Sequence, residues 1–416
     1  MKDKERIAVT GAGAVSCFGT GVRRFFSSLV EGRSGIGPIE RWDVSAARSR
    51  LAALVRDYDP ARVAPASALR RLDLSCKYAA GAAAQALRAS SLPCEVITGE
   101  RIGVAAGTSW TGCLPVRDFL RGFFGEGMEG ASPMLFPYTL PSAPASQLAI
   151  LLELGGPNLT FCQKEASALA AAAHAADLLA GGSADAMLAG GAEDYSEVLH
   201  EAYDRLTALS PGRGGPAGSR PYDRTRNGFI AGEGAFFVVL ERLAEASRRG
   251  ADVQAYLAGA AVCHTSCGLH DWPADPAPLV RTMKSALEEA QTPPEEIGWV
   301  CSSANSTVPL DEAEMRAIGE IFGGRRRQVL VSSLKGALGE FGAIGGAQLV
   351  AACAAIRSGI VPPTAGTVDP EERQGFELVL GRARRTPLDA VLINAFASGG
   401  CLVSIVLKRA AAARVL

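Results

Sequence analysis

The stretch from Pro157 to Tyr195, PNLTFCQKEASALAAAAHAADLLAGGSADAMLAGGAEDY, decides the fold of this 416-residue chain. It predicts a short strand from Asn158 to Cys162, a polar corner from Gln163 to Glu165 and a small-residue helix from about Ala166 to Ala180. A second strand follows and ends in Gly190 and Gly191. Earlier in the chain, Ser67 to Leu92 predicts a long helix and Ile102 to Gly107 a buried strand. The strand before the corner is apolar and the helix after it is nearly all Ala and Leu, so both are expected to be buried. A polar corner at the start of a buried helix lies at the positive end of the helix dipole and faces a pocket.

Composition and charge exclude several classes of protein. The 42 basic and 43 acidic residues nearly cancel, so neither a nucleic-acid nor a membrane-surface partner is expected. No apolar signal core precedes the first strand, Ile7 to Val15, and no apolar run is long enough for a membrane-spanning helix. Most of the ten Cys lie in apolar runs, which favours free thiols and a cytoplasmic location.

The second half of the chain repeats the first in outline. Val329 to Ser333 predicts a strand, Leu334 to Glu340 a polar corner, Gly345 to Ile356 a small-residue helix and Asp389 to Phe396 another strand. Parallel strands within each half need crossover helices, which this pattern supplies. We therefore predict two pseudo-repeated halves, residues 1–250 and 251–416, that share a core.

The corner segment carries a resemblance to the β-ketoacyl-ACP synthases, the condensing enzymes of fatty-acid and polyketide assembly. Counting back from Ala189 to Glu193 (AGGAE), His174 falls where these enzymes often carry His, and Glu165 falls at the family's nucleophilic Cys. Arg220 to Gly234 (RPYDRTRNGFIAGEG) matches another family motif, with Asn227 in place of the usual Asp. The resemblance implies an α/β, thiolase-like fold with a five-layered α-β-α-β-α body.

The family condenses acyl chains with one Cys and two His, assisted by a Lys, and this chain departs at all three positions of that triad. Ser303 replaces the first His in the segment Cys301 to Asp311, and Glu340 replaces the second, whereas Lys335 is retained. A carboxylate is a poor acyl acceptor from a thioester, and an anionic Glu340 repels an enolate. We therefore expect no condensation at this site, and an inert ion pair of Glu165 with Lys335.

Other interpretations of single residues are weaker. Glu165 could act like the Gln of decarboxylating loading ketosynthases, but that Gln works with the His pair that is missing here. Cys162 could be a displaced nucleophile, but no His is placed to activate it. A possible zinc set, Cys263, His264, Cys267 and His270, lies mid-chain before a Pro-rich loop, so we predict no metal. Gly11 and Gly13 match only part of a dinucleotide fingerprint, so we predict no cofactor.

By position in the family, two further sets of residues are predicted to shape an acyl tunnel. The gate would be formed by Phe396 and Ser398, the latter standing where a Phe is usual. The tunnel and interface would be formed by Trp110, Cys113, Leu114, Phe136, Tyr138 and Leu140.

The basic run Arg325 to Arg327 is a separate feature and is expected to be a solvated loop.

A ketosynthase fold with a degenerate site resembles the chain-length factor of type II polyketide synthases. Such subunits pair with an active ketosynthase and help to set product length, so the resemblance implies a heterodimer that also meets an acyl carrier protein. Glu165, where aromatic systems usually carry Gln, fits a highly reducing, polyene-forming system at least as well. Two alternatives stay open: a synthase or malonyl-ACP decarboxylase with rewired residues, and a non-catalytic scaffold that binds a carrier protein or acyl chain.

Overall fold

The computed structural model describes residues 6–70, 72–92, 99–211, 214–324, 328–371 and 375–410. The strands in chain order are β1 Ile7–Ser16, β2 Gly19–Thr20, β3 Gly37–Pro38, β4 Leu51–Ala52, β5 Ile102–Gly107, β6 Asn158–Phe161, β7 Ala186–Glu193, β8 Gly234–Arg242, β9 Ala255–His264, β10 Ile297–Cys301, β11 Val329–Ser332, β12 Ile360–Val361, β13 Phe376–Leu378, β14 Arg384–Arg385, β15 Ala390–Phe396 and β16 Cys401–Lys408. The α-helices are α1 Val22–Val30, α2 Ala66–Leu69, α3 Leu74–Ser90, α4 Cys113–Glu126, α5 Ala143–Leu151, α6 Ser167–Ala180, α7 Glu197–Arg205, α8 Leu243–Arg248, α9 Pro276–Glu289, α10 Val308–Phe322, α11 Lys335–Leu338 and α12 Ile344–Ser358.

The predicted duplication is visible in the strand order. In the first half β1 pairs antiparallel with β8, β8 antiparallel with β7, and β7, β5 and β6 run parallel. In the second half β9, β16, β15, β10 and β11 repeat that order and those directions, and β13 extends the sheet. Hydrogen bonds between β1 and β9 join the halves into one large mixed sheet. The domain boundary at residue 250 stays a prediction.

The helices occupy three layers around the two halves of the sheet. Helix α3 packs on β1, β7 and β8, while α9 packs on β9 and β16 and carries α10 beside it. Helices α6 and α12 pack against each other and contact strands of both halves. The predicted five-layered, thiolase-like arrangement is therefore confirmed.

The central helices are built mostly from small residues because most of their surface is enclosed. Ten of the fourteen residues of α6 are buried, and seven of these ten are Ala in the run Ala168–Ala176. At the crossing with α12, a Cβ on Gly345 would lie 2.8 Å from the backbone nitrogen of Leu169. Larger side chains would hold the two helices apart, so the Ala-rich composition fixes the spacing of the layers.

Gly11 and Gly13 have a packing role in strand β1. A Cβ on Gly13 would lie 1.9 Å from the carbonyl oxygen of Ala82 in α3, and one on Gly11 would lie 2.1 Å from that of Ala86. The two glycines therefore let α3 lie directly on β1. This close packing is a structural reason for glycine at both positions.

Two element boundaries differ from the sequence-based expectation. The long helix expected over Ser67 to Leu92 is divided into α2 and α3, because the Asp73 carboxylate accepts a hydrogen bond from the Cys76 amide at 2.9 Å and caps a new helix. Strand β7 continues past Gly190 and Gly191 to Glu193, and this extension carries Glu193 into the site described below. Among the described residues, no helix is long and apolar enough to cross a membrane.

The close packing of Gly13 in β1 against α3 can be tested by adding a methyl group at that position. Gly13→Ala should lower the free energy of unfolding by about 2–3 kcal/mol, because the added methyl group meets backbone that has to move. The measurement is urea-induced unfolding. The matched control is Gly125→Ala in α4, where nothing lies within 4 Å of the added Cβ and the stability should be unchanged or slightly higher. Equal unfolding midpoints for the two variants would contradict the packing role of Gly13.

Candidate functional site

Glu165 lies in a 3₁₀ turn, Lys164–Ala166, between strand β6 and helix α6. Its side chain is buried, and one carboxylate oxygen accepts hydrogen bonds from the backbone amide of Ser398 at 3.0 Å and from the Ser398 hydroxyl at 3.2 Å. Burial raises the pKa of Glu165, against the lowering effect of its own amide and of the Lys335 charge. The corner is therefore tied to the turn that follows β15.

Lys335 pairs with Glu340, and the expected direct ion pair of Lys335 with Glu165 is wrong. The Lys335 Nζ lies 2.8 Å from Glu340 Oε2 and donates to the Ser303 carbonyl oxygen at 2.8 Å. The Asn305 amide also donates to Glu340 Oε2, at 2.9 Å. Helix α11 places Lys335 at the start of the corner, and the following turn brings Glu340 back toward it. The sequence did not predict whether the Lys335 ammonium would pair with Glu165 or with Glu340.

Burial raises the pKa of Glu340 to about 7; the Lys335 charge lowers it and the Glu165 carboxylate raises it. Its second oxygen, Oε1, has no hydrogen-bond partner among the described residues. Glu165 and Glu340 are thus two buried carboxylates that share the charge of one ammonium group. Such a site repels an enolate anion, which the imidazoles of a condensing enzyme would stabilise.

Ser303 is locked into the backbone around it. Its hydroxyl accepts a hydrogen bond from the Phe396 amide at 2.8 Å, and its own amide donates to Glu314 Oε1 at 2.9 Å. The Asp311 carboxylate accepts from the amides of Asn305 and Ser306 and fixes the rest of this loop. Although Lys335 Nζ lies 3.3 Å from Ser303 Oγ, Ser303 is fully buried and does not line the cleft described next, so this pair is not arranged as a nucleophile and base.

A largely apolar cleft of about 880 Å³ has Glu165 in its lining. Helix α7 contributes Val198, Leu199, Ala202 and Tyr203 to its wall. The cleft is lined by Trp110, Cys113, Lys164, Glu165, Val198, Leu199, Ala202, Tyr203, Leu206, Thr207, Ala208, Arg226, Asn227, Gly228, Phe229, His270, Trp272, Thr307, Val308, Pro309 and Ser398. It does not include Ser303, Lys335 or Glu340, so an occupant would meet only one of the three altered positions.

The six predicted tunnel residues occupy different places in the monomer. Trp110 and Cys113 line the cleft, and Leu114 is half-buried beside them in α4. Phe136 and Leu140 are exposed, whereas Tyr138 packs in a buried cluster with neighbours that include Leu69 and Leu72. Their role in a tunnel stays a prediction. Of the two gate residues, Phe396 is fully buried in β15 and Ser398 lines the cleft.

The four histidines lie away from the altered catalytic positions. His174 is exposed on α6, and the His200 ring is buried on α7 with Nδ1 2.9 Å from the Tyr195 hydroxyl. His264 ends β9, and His270 lines the cleft. In the described part of the chain, no three His, Cys, Asp or Glu side chains are grouped so that they could hold a metal ion. Arg325 to Arg327 lie outside the described residues.

Cys162 ends up exposed beside the corner, one residue past β6. The pKa of its thiol is raised, first by desolvation and then by the Glu193 carboxylate. A nucleophilic thiol needs a lowered pKa, so this environment works against a displaced nucleophile.

Sequence reasoning missed Glu193, which ties the site together. Its buried carboxylate accepts hydrogen bonds from the amides of Ser109, Trp110 and Gly342, which belong to the loop after β5 and to the second corner. Burial raises its pKa to about 7, against the lowering effect of these three amides. The only signal in the sequence was an acidic residue following Gly190 and Gly191, which does not reveal long-range partners.

Replacing Glu340 tests the buried ion pair. Glu340→Leu should lower the free energy of unfolding by about 3–5 kcal/mol, because the Lys335 ammonium is left buried without its carboxylate. The double variant Lys335→Met/Glu340→Leu should recover most of that loss, because no charge is stranded. Urea unfolding of the single and double variants measures both effects.

The control is the exposed pair of Lys284 and Glu320, 3.1 Å apart, where Glu320→Leu should change the stability by about 1 kcal/mol or less. A double variant no more stable than Glu340→Leu alone would contradict the proposed cost of the stranded charge.

Comparison with known proteins gives the same two-part architecture. Residues 4–246 match the family model described as the N-terminal domain of β-ketoacyl synthase, and residues 254–367 match the C-terminal domain. The 3-oxoacyl-[acyl-carrier-protein] synthase 2 of Coxiella burnetii is 32% identical over 410 residues, which cover 98% of this chain and 99% of that protein. The oxytetracycline polyketide β-ketoacyl synthase 1 of Streptomyces rimosus is 33% identical over 425 residues, covering 98% of each.

A solved structure of the ishigamide ketosynthase/chain length factor superimposes with a TM-score of 0.90 and 26% identity. The match covers 98% of this chain and 100% of that one. Fold, domain matches and near-full-length relatives agree, and the chain belongs to the β-ketoacyl synthase family.

Proposed function

We propose that this chain is a non-catalytic ketosynthase subunit, a chain-length factor that pairs with an active ketosynthase in type II polyketide biosynthesis. The observation that carries the proposal is Glu165, a buried carboxylate at the family's nucleophile position, in the lining of the cleft. A carboxylate there would form a mixed anhydride, which is higher in energy than the thioester it would come from.

The other two altered positions support the same conclusion. Glu340 pairs with Lys335 and Asn305, and Ser303 bonds to the backbone of Phe396. Neither Glu340 nor Ser303 lines the cleft, so neither is placed to donate to an enolate there. Condensation needs a nucleophile, enolate donors and a place for the substrate. This chain retains only the place for the substrate.

The surface around α4 supports a protein partner. Phe124 and Met128 are 79% and 80% exposed, and Met134, Phe136 and Ile150 are also exposed. The Phe119 and Phe136 rings lie 6.0 Å apart, so the segment after α4 packs against that helix. We call the exposed apolar residues of α4 and of this segment, with Ile150 in α5, the α4 surface. Monomeric proteins seldom leave such a surface uncovered.

Strand β6 points to the same kind of partner, because it is the last strand at its end of the described sheet. An unpaired edge strand offers backbone hydrogen bonds to a second chain. A family relative could supply the matching edge across a pseudo-two-fold axis. We propose that the active ketosynthase covers the β6 edge and the α4 surface, and that this pair receives an acyl carrier protein, the substrate carrier named in several relatives. A cytoplasmic location stays a prediction.

The second candidate function is an enzyme with rewired residues, such as a malonyl-ACP decarboxylase. One observation favours it: the cleft is large and Glu165 lines it. Clefts of about 300–1,000 Å³ commonly hold small ligands. The two functions differ in what the chain does without its partner.

The deciding experiment is malonyl-ACP turnover by the purified chain, alone and with its co-encoded ketosynthase, followed by intact-protein mass spectrometry. We expect the lone chain to carry no acyl adduct and to release no CO2, while the pair elongates. Glu165→Ala in the pair should retain elongation, whereas removing the partner's nucleophile should abolish it. Release of CO2 by the lone chain that Glu165→Ala stops would establish the enzyme instead.

Product length tests whether the chain sets length or only supports its partner. Trp110 is 40% exposed and lines the cleft, so Trp110→Ala should enlarge the space and lengthen the product of the pair by at least one extension unit. Phe136→Ala, at the exposed surface, should have the same effect if that surface forms the tunnel across the interface. Mass spectrometry of released products gives the distribution.

The control for product length is Val368→Ala, at an exposed apolar residue outside the α4 surface. An unchanged product profile from an intact Trp110→Ala pair would favour a scaffold without length control.

A further inference from the structure

A second concave site lies between helix α1, helix α3 and the loop of residues 56–63. Its volume is about 560 Å³, and it shares no lining residue with the cleft at Glu165. Four arginines line it: Arg24, Arg56, Arg62 and Arg88. We call it the arginine groove.

The arginine groove is positively charged although the chain as a whole is not. Its two acidic residues, Asp57 and Asp59, leave an excess of two positive charges, whereas the formal net charge of the chain is −1. A concave surface with a net positive charge raises the local concentration of anions. The groove therefore selects for anions.

The guanidinium groups are held only loosely by the protein, and Arg56 donates one long hydrogen bond, of 3.4 Å, to the Pro38 carbonyl oxygen. Arg24 lies 3.6 Å from Asp57 and Arg62 lies 3.7 Å from Asp59, both beyond hydrogen-bond distance and both with exposed side chains. Asp59 is also committed to the Ala61 amide at 3.0 Å. Arg88 forms no ion pair or side-chain hydrogen bond with the described part of the chain and is exposed. Loose, exposed pairs of this kind are weak, so an incoming anion can replace the carboxylates.

The wall and floor of the groove are rigid. The Tyr58 hydroxyl donates to the Lys77 carbonyl oxygen at 2.6 Å, and its ring covers Gly81, where a Cβ would lie 2.6 Å from the Tyr58 oxygen. The Gln85 amide nitrogen donates to the carbonyl oxygens of Gly81 at 2.8 Å and Ala14 at 3.3 Å. Gly81, Gln85 and Arg88 recur at helical spacing on one face of α3. An aromatic wall held by hydrogen bonds, beside exposed guanidinium groups, suits a ligand with a flat or apolar part and an anionic part.

We propose that the arginine groove binds a phosphorylated small molecule that carries a diphosphate group. Guanidinium forks bind phosphate oxygens in a bidentate manner, and a diphosphate esterified at both ends carries one negative charge per phosphate, which would balance the excess charge. The volume is larger than inorganic phosphate needs and lies in the range of small-ligand sites. This site is independent of the proposed function, because none of its residues belongs to the cleft.

The test is isothermal titration calorimetry of the full-length chain with inorganic pyrophosphate at fixed ionic strength, supported by the shift of the thermal midpoint. We expect saturable binding that weakens about tenfold in Arg56→Gln and in Arg88→Gln, and a raised thermal midpoint that the double variant loses. Both substitutions keep a polar side chain at an exposed position, and the midpoint without ligand shows whether they fold.

The matched control is Arg205→Gln, an exposed arginine on α7 paired with Glu201, which should bind pyrophosphate as the unaltered chain does. Non-saturable heats, or equal weakening in Arg205→Gln, would overturn the proposal, because binding would then follow general surface charge. Binding of an acidic protein at this groove without binding of pyrophosphate would overturn it as well.

Discussion

The close contact of α6 with α12 is the constraint on which the rest of the structure depends. Each helix must touch the other and strands of both halves of the sheet, so neither has a face for large side chains. The two corners that precede these helices are thereby brought together at one place. Glu165 comes from the first corner and Lys335 with Glu340 from the second, which is why residues far apart in sequence form one site.

Burial has the largest effect on the pKa values of the carboxylates at that site. Glu165, Glu193 and Glu340 are all buried, and burial is the largest effect raising the pKa of each. Hydrogen bonds and one ion pair offset the free-energy cost of burying these carboxylates. The Ser398 amide donates to Glu165, three amides donate to Glu193, and the Lys335 ammonium pairs with Glu340. The hydrogen bonds and the ion pair of these three carboxylates link loops that lie far apart in the sequence.

Much of the fold could be predicted because its signals are local and repeated. Strand β5 was predicted with the observed boundaries, and the small-residue helices were placed to within about two residues. The break between α2 and α3 was not foreseen, since a single Asp73 cap outweighed a continuous helical pattern. Motif spacing was enough to identify the altered positions of the site, but it did not predict the hydrogen-bond and ion-pair partners of their side chains. Whether Lys335 meets Glu165 or Glu340, and that Glu193 bridges two loops, are settled by tertiary packing.

The Lys335–Glu340 pair also has an evolutionary consequence. Both side chains are almost wholly enclosed, and each is the main charge partner of the other. A change at either position alone strands a buried charge, so a lineage that carries the pair has to cross a less stable intermediate to leave it. Replacement of Glu340 alone by an imidazole is therefore opposed by protein stability, whatever it would do to the chemistry of the site. Positions 335 and 340 consequently tend to change together, so the pair behaves in evolution as one unit rather than as two independent residues.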